Sequence, residues 1–501
     1  MKKKRMIALG VSVSLVAAAG MITTAAAQQQ KRTLKNNMTE VYHILPQPVD
    51  SLVEAFPKGM VYGRLRANFF TYQWDDEVTG KQKNNYANGI GGSLIYKTAP
   101  FKGFSATVGL YTSQNPFNDL NMDKIDVKYA KSGKDTFDRH RIKDNGAYDG
   151  DWGMTSLAQA YLQYDIGKTE FKVGRQIYES FLTKSNDTKM IPNTFQGVSV
   201  IVKDLPGTMF TAAYFNRQKL RDHTGFHDVI AYDGWNENDD SAVNKGLTTA
   251  RLEAHGIDDT KLIVVGLSNK SIKNLKVDAW LTSVPDLFWS GMIEANYTIH
   301  LAGGWSVTPG LRYMDQLDDG AGKIGGAALN GSLAGLTGPA KGYKDAGSVD
   351  GSLVGGRLVI KKGNGKLRVG YTAVADDADL IAPWRGFPTS GYTRSMGQYN
   401  WDANTKSWMF AAAYNFDKAG LVPGFRAAVD YTIMDYDETK ELLGGISKTD
   451  REAYHIDMWE RISAVPGLEA KVRFSRVNAD NRTDGTDPSY YEARFEMNYL
   501  F

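Results

Sequence analysis

Three groups of side chains in this 501-residue chain have the types and spacing to do chemistry. His455 and Asp457 lie two residues apart, on one face of an extended strand, as a general base and its orienting acid would. The run from Asp144 through Asp149 and Asp151 to Trp152 sets three carboxylates within eight residues, a density of hard oxygen donors suited to calcium. Trp384 and Phe387 flank Arg385, an arrangement that serves either as a substrate rim or as a loop anchor. For the first two the structural alternative is the stronger. A hydrolytic site also needs a nucleophile or an activated water, and no motif identifies one, which makes His455 a wall residue. The acidic run lacks the bidentate Glu that closes an EF-hand loop, so it reads as a solvated loop and no metal is assigned.

The elements that must carry these residues are strands. In Tyr490 to Phe501, every second residue is apolar (Tyr491, Ala493, Phe495, Met497, Tyr499, Phe501), while Glu492, Arg494, Glu496 and Asn498 alternate with them. A strict period of two is a strand with one apolar and one ionised face. Ending on an aromatic, with aromatics at both ends of the apolar stripe, it has the form of the closing strand of an outer-membrane barrel, whose apolar face meets lipid and whose ionised face meets a watery lumen. Only alternate residues of such a strand need be apolar, so a negative mean hydropathy does not argue against it.

The same alternation recurs in order. It is clear at Met60 to Tyr72, Ile90 to Lys97, Phe104 to Tyr111, Ala158 to Tyr164, Phe171 to Gln176, Val198 to Lys203 and Phe210 to Arg217. It continues at Leu262 to Ser268, Leu275 to Thr282, Leu287 to Tyr297, Trp305 to Tyr313, Val354 to Ile360 and Leu367 to Ala373. Trp408 to Phe416, Phe425 to Ile433, His455 to Trp459 and Leu468 to Phe474 then lead to the last strand, for a count of eighteen. Short turns built on Gly, Pro, Asn or Asp, such as Asp165 to Thr169 and Ser463 to Gly467, alternate with connections that are mostly long and polar: Thr112 to Thr155, Gln218 to Thr260, Asp315 to Val349 and Ala375 to Lys406. That asymmetry belongs to a barrel with short periplasmic turns and long outer loops, and an even strand count places both termini in the periplasm. The fold class expected is therefore all-β, a transmembrane antiparallel β-barrel of about eighteen strands.

Lys2 to Arg5, an apolar run to about Ala19 and the small residues through Ala27 form a secretory leader with an A-x-A cleavage site after residue 27. Removing its four basic residues leaves 55 Lys plus Arg against 56 Asp plus Glu, a balance that argues against nucleic acid as a partner. The absence of Cys excludes a disulfide framework and a cysteine-held metal. Residues 28–56 read as a polar periplasmic lead-in, and 57–501 as the barrel, exported to the bacterial outer membrane.

Local motifs resemble the OprD-type substrate-specific outer-membrane porins. Lys172-Val173-Gly174-Arg175-Gln176 followed by Ser185 to Val198, Ala382 to Pro388 followed by Thr405 to Trp408, Tyr96 to Pro100, and the terminal Phe501 carry the likeness. It runs from about Leu52 to Phe501, and Asp187 to Gly197 is its most specific part. The resemblance implies eighteen strands, in agreement with the count above. It also implies a third outer loop folded into the lumen, here Ile177 to Thr194 with Glu179, Asp187 and Lys189 as charged members. Members of the family use a line of lumen arginines to guide carboxylate-bearing solutes past an acidic group. Strand parity here supplies Arg312, Arg357, Arg368, Arg426, Arg473 and Arg494, opposed by Asp278, Glu294, Asp430, Asp457 and Glu496. A guanidinium holds a carboxylate in two-point fashion yet stays hydrated enough to release it, as serial weak sites require. Each such arginine has a second reading, a salt bridge that knits the wall.

The function expected is passive diffusion of small hydrophilic solutes, favouring anionic or carboxylate-bearing ones, with no enzymatic step and no cofactor. A general or cation-preferring porin is the alternative, because the five carboxylates oppose the arginines. A barrel hydrolase and a surface adhesin are further alternatives, the latter suggested by the roughly forty-residue loops starting at Thr112 and Gln218. Expected partners are outer-membrane lipid, the solutes, and the outer-membrane assembly machinery through the C-terminal strand, with the protein a monomer or a homotrimer.

Overall fold

The computed structural model describes residues 32–35, 39–78, 84–115, 138, 141, 143, 148–185, 189–221, 223–232, 246–442 and 446–501. The leader expected at 1–27 lies outside them.

Eighteen long strands close into one antiparallel barrel. They are β1 (Met60–Trp74), β2 (Asn85–Lys97), β3 (Phe104–Gln114), β4 (Gly153–Ile166), β5 (Thr169–Gln176), β6 (Thr194–Val202), β7 (Thr208–Lys219), β8 (Leu262–Asn269) and β9 (Leu275–Val284). The second half comprises β10 (Phe288–Tyr297), β11 (Trp305–Asp318), β12 (Gly351–Lys362), β13 (Gly365–Val374), β14 (Lys406–Asn415), β15 (Phe425–Asp435), β16 (Arg451–Arg461), β17 (Leu468–Ala479) and β18 (Tyr490–Leu500). Every strand anticipated from the alternation is present, and most extend beyond it. β16, for example, runs several residues past His455 to Trp459 at its outer end, where charged residues leave the apolar stripe behind.

Parity decides the two faces. On β18, Tyr491 and Phe495 are exposed on the outside, whereas Glu492, Arg494, Glu496 and Asn498 are all buried within. Val61, Leu162, Ile293, Leu311 and Val354 are likewise exposed outward, forming the apolar belt that lipid covers. Closure pairs β18 with β1, Phe495 opposite Phe69, and leaves no open edge to be satisfied in a bilayer. The last residue finishes the seam: Phe501 and Gly63 exchange backbone hydrogen bonds of 3.1 Å each. Position 63 admits only glycine, because a Cβ there would lie 2.2 Å from the Ser93 carbonyl oxygen and 2.9 Å from the Phe501 ring.

The main apolar core is not in the wall. It lies at the outer end of the lumen, where the outer connections, L1 to L9 in chain order, turn inward. Tyr178 and Leu182 of L3 (177–193), Val229 of L4 (220–261) and Leu380, Trp384, Phe387 and Trp401 of L7 (375–405) pack together against Phe215 and Phe288 of the wall. Each fully buried Leu or Phe contributes about 1.5–3 kcal/mol, enough to hold polar-backbone loops inside a wet barrel.

At the periplasmic end, a short helix (Leu52–Ala55) capped by Ser51 sits on the rim. The Ala99 amide donates to Ala55 O, and the Val49 amide to Pro100 O, at 2.9 Å each. This part of the lead-in occupies the rim. Further upstream, the paired strands Arg32–Leu34 and Glu40–Tyr42 carry Glu40 to the inner wall beside Arg64 and Ser93.

Candidate functional site

The lumen surface is built from the inward residues of the closed ring of strands and from L3 and L7. One charge cluster straddles three consecutive strands. Glu294 on β10 stands directly across from Arg312 on β11, and Arg357 on β12 is the next inward basic residue. Arg312 Nε donates to Glu294 Oε2 at 2.8 Å, and Arg357 reaches Glu294 Oε1 at 2.8 Å and Asn296 Oδ1 at 2.7 Å. One carboxylate is therefore shared between two guanidiniums. Both guanidiniums stack on the Tyr392 ring of L7, at 4.4 and 4.6 Å. Their remaining donors fix L7 to the wall: Arg312 to the Pro388 and Ser390 carbonyls at 2.7 and 3.0 Å, and Arg357 to the Gly391 carbonyl at 3.1 Å.

A second cluster crosses β15 to β17. His455 places Nδ1 2.8 Å from Asp430 and Nε2 3.1 Å from Asp457, and Arg473 donates to both oxygens of Asp457 at 2.7 and 3.1 Å. Ser395 of L7 donates to Asp430 at 2.5 Å. The His455 ring thus lies between two carboxylates that it bridges across neighbouring strands, the arrangement of a wall brace.

The other sequence-selected residues are distributed around the inner face. Arg494 pairs with Glu492 at 2.8 Å and covers the Phe70 ring, and Glu496 pairs with Arg66 at 2.8 Å. Arg426 meets Glu469 at 3.2 Å and stacks on Trp459, close to the periplasmic mouth. Asp278 is ion-paired with Lys276 on the same strand. Arg368 differs from them: its side-chain hydrogen bond goes to Met409 Sδ at 2.9 Å, a weak acceptor, and among the described residues no carboxylate lies within ion-pair reach of it. In L3, Glu179 is exposed, Lys189 is buried and Asp187 lies outside the described residues. L3 does run inward. Its Lys189 and Met190 carbonyls accept from Arg66 at 2.8 Å and Arg64 at 3.4 Å, and Met190 and Ile191 are buried against Ile95, Tyr111 and Met154.

L7 is the part that sequence reasoning left open. Trp384 is fully buried, donates from Nε1 to the Val229 carbonyl at 2.5 Å, and accepts the Lys184 amide at 2.8 Å, so Trp384 and Phe387 anchor the loop rather than form a rim. Arg385 takes the left-handed backbone, φ 70°, held by a bridge to Thr183. Gly386 passes so close to L3 that a Cβ would lie 2.2 Å from Phe181 O. Beside the acidic run, Asp149 is engaged by Arg141 at 3.0 Å and Lys143 at 3.3 Å, the partners expected of a solvated loop; Asp144 lies outside the described residues.

A family model for outer membrane porins of the OprD family matches residues 120–501. The porin-like protein GalP of Pseudomonas putida is 22% identical over 284 residues, 56% of this chain and 60% of that protein, so the match spans less than two thirds of its length. Among solved structures, Pseudomonas aeruginosa OccK9 (OpdG) superposes with a TM-score of 0.66 at 15% identity, over 89% of this chain and 99% of that one. Acinetobacter baumannii OccAB3 gives 0.65 at 16% identity, over 88% and 99%. Pseudomonas aeruginosa OpdK, solved with vanillate, gives 0.64 at 15% identity, over 89% and 99%. At these identities the common property is the fold.

Proposed function

The chain belongs to the OprD family of outer-membrane porins, and we propose that it conducts small hydrophilic solutes passively across the bacterial outer membrane with a preference for those bearing a carboxylate. The observation that carries the preference is the sharing of Glu294 by Arg312 and Arg357, which leaves a positive charge uncompensated on the lumen face. Arg368 adds a second, while Asp457, Glu492 and Glu496 are each held by an arginine of the wall. Summed charge of one sign in a narrow aqueous channel attracts the opposite ion and raises its local concentration. The vanillate held by OpdK is a carboxylate on an aromatic ring, a shape that an arginine stacked on Tyr392 suits.

In this reading residues 1–27 are a cleaved leader, L3 and L7 narrow the lumen, Glu179 faces the arginines across it, and Phe501 presents the C-terminal strand to the assembly machinery. Nothing in it requires a catalytic step. The test is the reversal potential of the refolded protein in a planar bilayer under a KCl gradient. Anion preference that falls in Arg368→Ala supports the proposal; cation preference in the unaltered protein removes it.

A further inference from the structure

The strand pair Arg32–Leu34 and Glu40–Tyr42 lies upstream of the barrel, yet it delivers one carboxylate into the lumen. Glu40 is 5% exposed at its side chain; its Oε1 accepts from the Ser93 hydroxyl and lies 3.9 Å from Arg64 Nε. The Tyr42 ring packs on Tyr62 of the wall at 5.4 Å. Arg64 and Ser93 are register partners on β1 and β2, four residues above the periplasmic ends of those strands at Met60 and Lys97. From the opposite side L3 comes down to the same arginine, whose Nη2 donates to the Met190 carbonyl. A segment from the periplasmic side and a loop from the outer side thus meet at one guanidinium.

The site is built but only partly used. Arg64 is fully buried, and its Nε and Nη1 have no hydrogen-bond partner among the described residues, nor has Glu40 Oε2. A guanidinium and a carboxylate brought out of water lose their solvation and recover it only through well-aligned hydrogen bonds. Here a single hydroxyl supplies the hydrogen bond, and the charge pair stands beyond hydrogen-bond distance. Such a contact holds weakly.

We infer that the Arg64 and Ser93 niche is a carboxylate-binding site in the lumen, occupied at rest by the chain's own Glu40, so that the strand Glu40–Tyr42 with its partner Arg32–Leu34 acts as a tethered plug which a carboxylate-bearing solute displaces. The inference rests on the channel reading above. A solute carboxylate free to orient can pair with Arg64 in two-point fashion, which Glu40 does not. The tether gives Glu40 an effective concentration on the order of millimolar, so solutes compete in that range.

The test compares single-channel currents of the full-length protein, a deletion of residues 32–43 and Glu40→Gln, with propionate or uncharged propionamide added at about 1–50 mM and constant ionic strength. The deletion is expected to raise the open fraction several-fold, and Glu40→Gln to shift it the same way. Propionate should raise the current of the full-length protein but not of the deletion, and propionamide should affect neither. Equal open fractions in all three proteins, or equal effects of propionate on full-length and deleted forms, overturn the plug and leave the channel standing. Absence of current from every form, with folding confirmed by heat-modifiable electrophoretic mobility, overturns both. If the deletion does not fold, the near-isosteric Glu40→Gln carries the comparison alone.

Discussion

Glu294 stands directly across the β10–β11 pair from Arg312, whose Nε donates to its Oε2 at 2.8 Å, and the same carboxylate also serves Arg357. The acid therefore acts as a partial neutraliser of the arginines. Glu294→Gln keeps the shape and removes that neutralisation. Anion over cation permeability is expected to rise two- to tenfold, about 0.4–1.4 kcal/mol, read from the reversal potential in a KCl gradient. A fall in anion preference would mean that Glu294, rather than the arginines, attracts the permeant ion.

Trp384 ties three outer loops together. Its indole donates to Val229 in L4, its carbonyl accepts Lys184 of L3, and its ring lies 6.1 Å from Phe288. Trp384→Ala removes packing worth about 3–5 kcal/mol from the loop core. The strand ladder is independent of this core, so heat-modifiable mobility should be unchanged, while conductance and current noise increase as L3 and L7 separate. Unchanged conductance would place the narrowest point elsewhere.

The strands were legible because their alternation is local and strict. Glu492, Arg494 and Glu496 declare their face from five consecutive letters, without any partner. What the arginines bind was not legible, because it depends on register: Arg473 meets Asp457 and Arg312 meets Glu294 across strands whose offset no single strand reveals. L7 was obscure for a different reason. A loop folded inside a barrel has no period, and its only advance signal is composition, since Trp384, Phe387, Tyr392 and Trp401 are more aromatic surface than a water-exposed loop would carry. Glu40 gave no signal at all. It is one acid in a polar stretch, and its partners lie 24 and 53 residues away.

The outer rim should respond to pH in two opposite senses. Lys448 of L8 (436–450) is buried between Asp379 at 3.0 Å and Asp402 at 3.8 Å, both in L7. Burial pushes Asp402 up to about 6, against the pull of Lys448. Its folded form thus binds a proton more tightly than the unfolded chain, and the associated stability is present below about pH 4 and lost as pH rises through about 6. For Asp437, burial again pushes upward, but hydrogen bonds from Asn404 and Thr439 and the charge of Lys440 prevail and hold it at about 2. Its stability is present above about pH 4 and lost as pH falls through about 2. Amide-exchange protection in L8, corrected for intrinsic rates, should therefore decline on both sides of about pH 4. Asp437→Asn is expected to abolish the acid-side loss and Asp402→Asn the alkaline-side loss. Protection that is flat in the unaltered protein would show that neither group is coupled to loop opening.

Arg473 separates two kinds of lumen arginine. It donates to both oxygens of Asp457, and on the far side of His455 stands Asp430. Arg368 has no such carboxylate. Replacing either by alanine removes one positive charge and lowers anion preference, but only Arg473→Ala uncovers a carboxylate pair braced by a single histidine. Two carboxylates with only an imidazole between them attract a hard divalent ion. Millimolar calcium is therefore expected to shift the reversal potential of Arg473→Ala back toward the anion side and to leave Arg368→Ala unmoved. Equal calcium responses in the two variants would mean that Arg473 acts as a free pore charge rather than as the cap on Asp457.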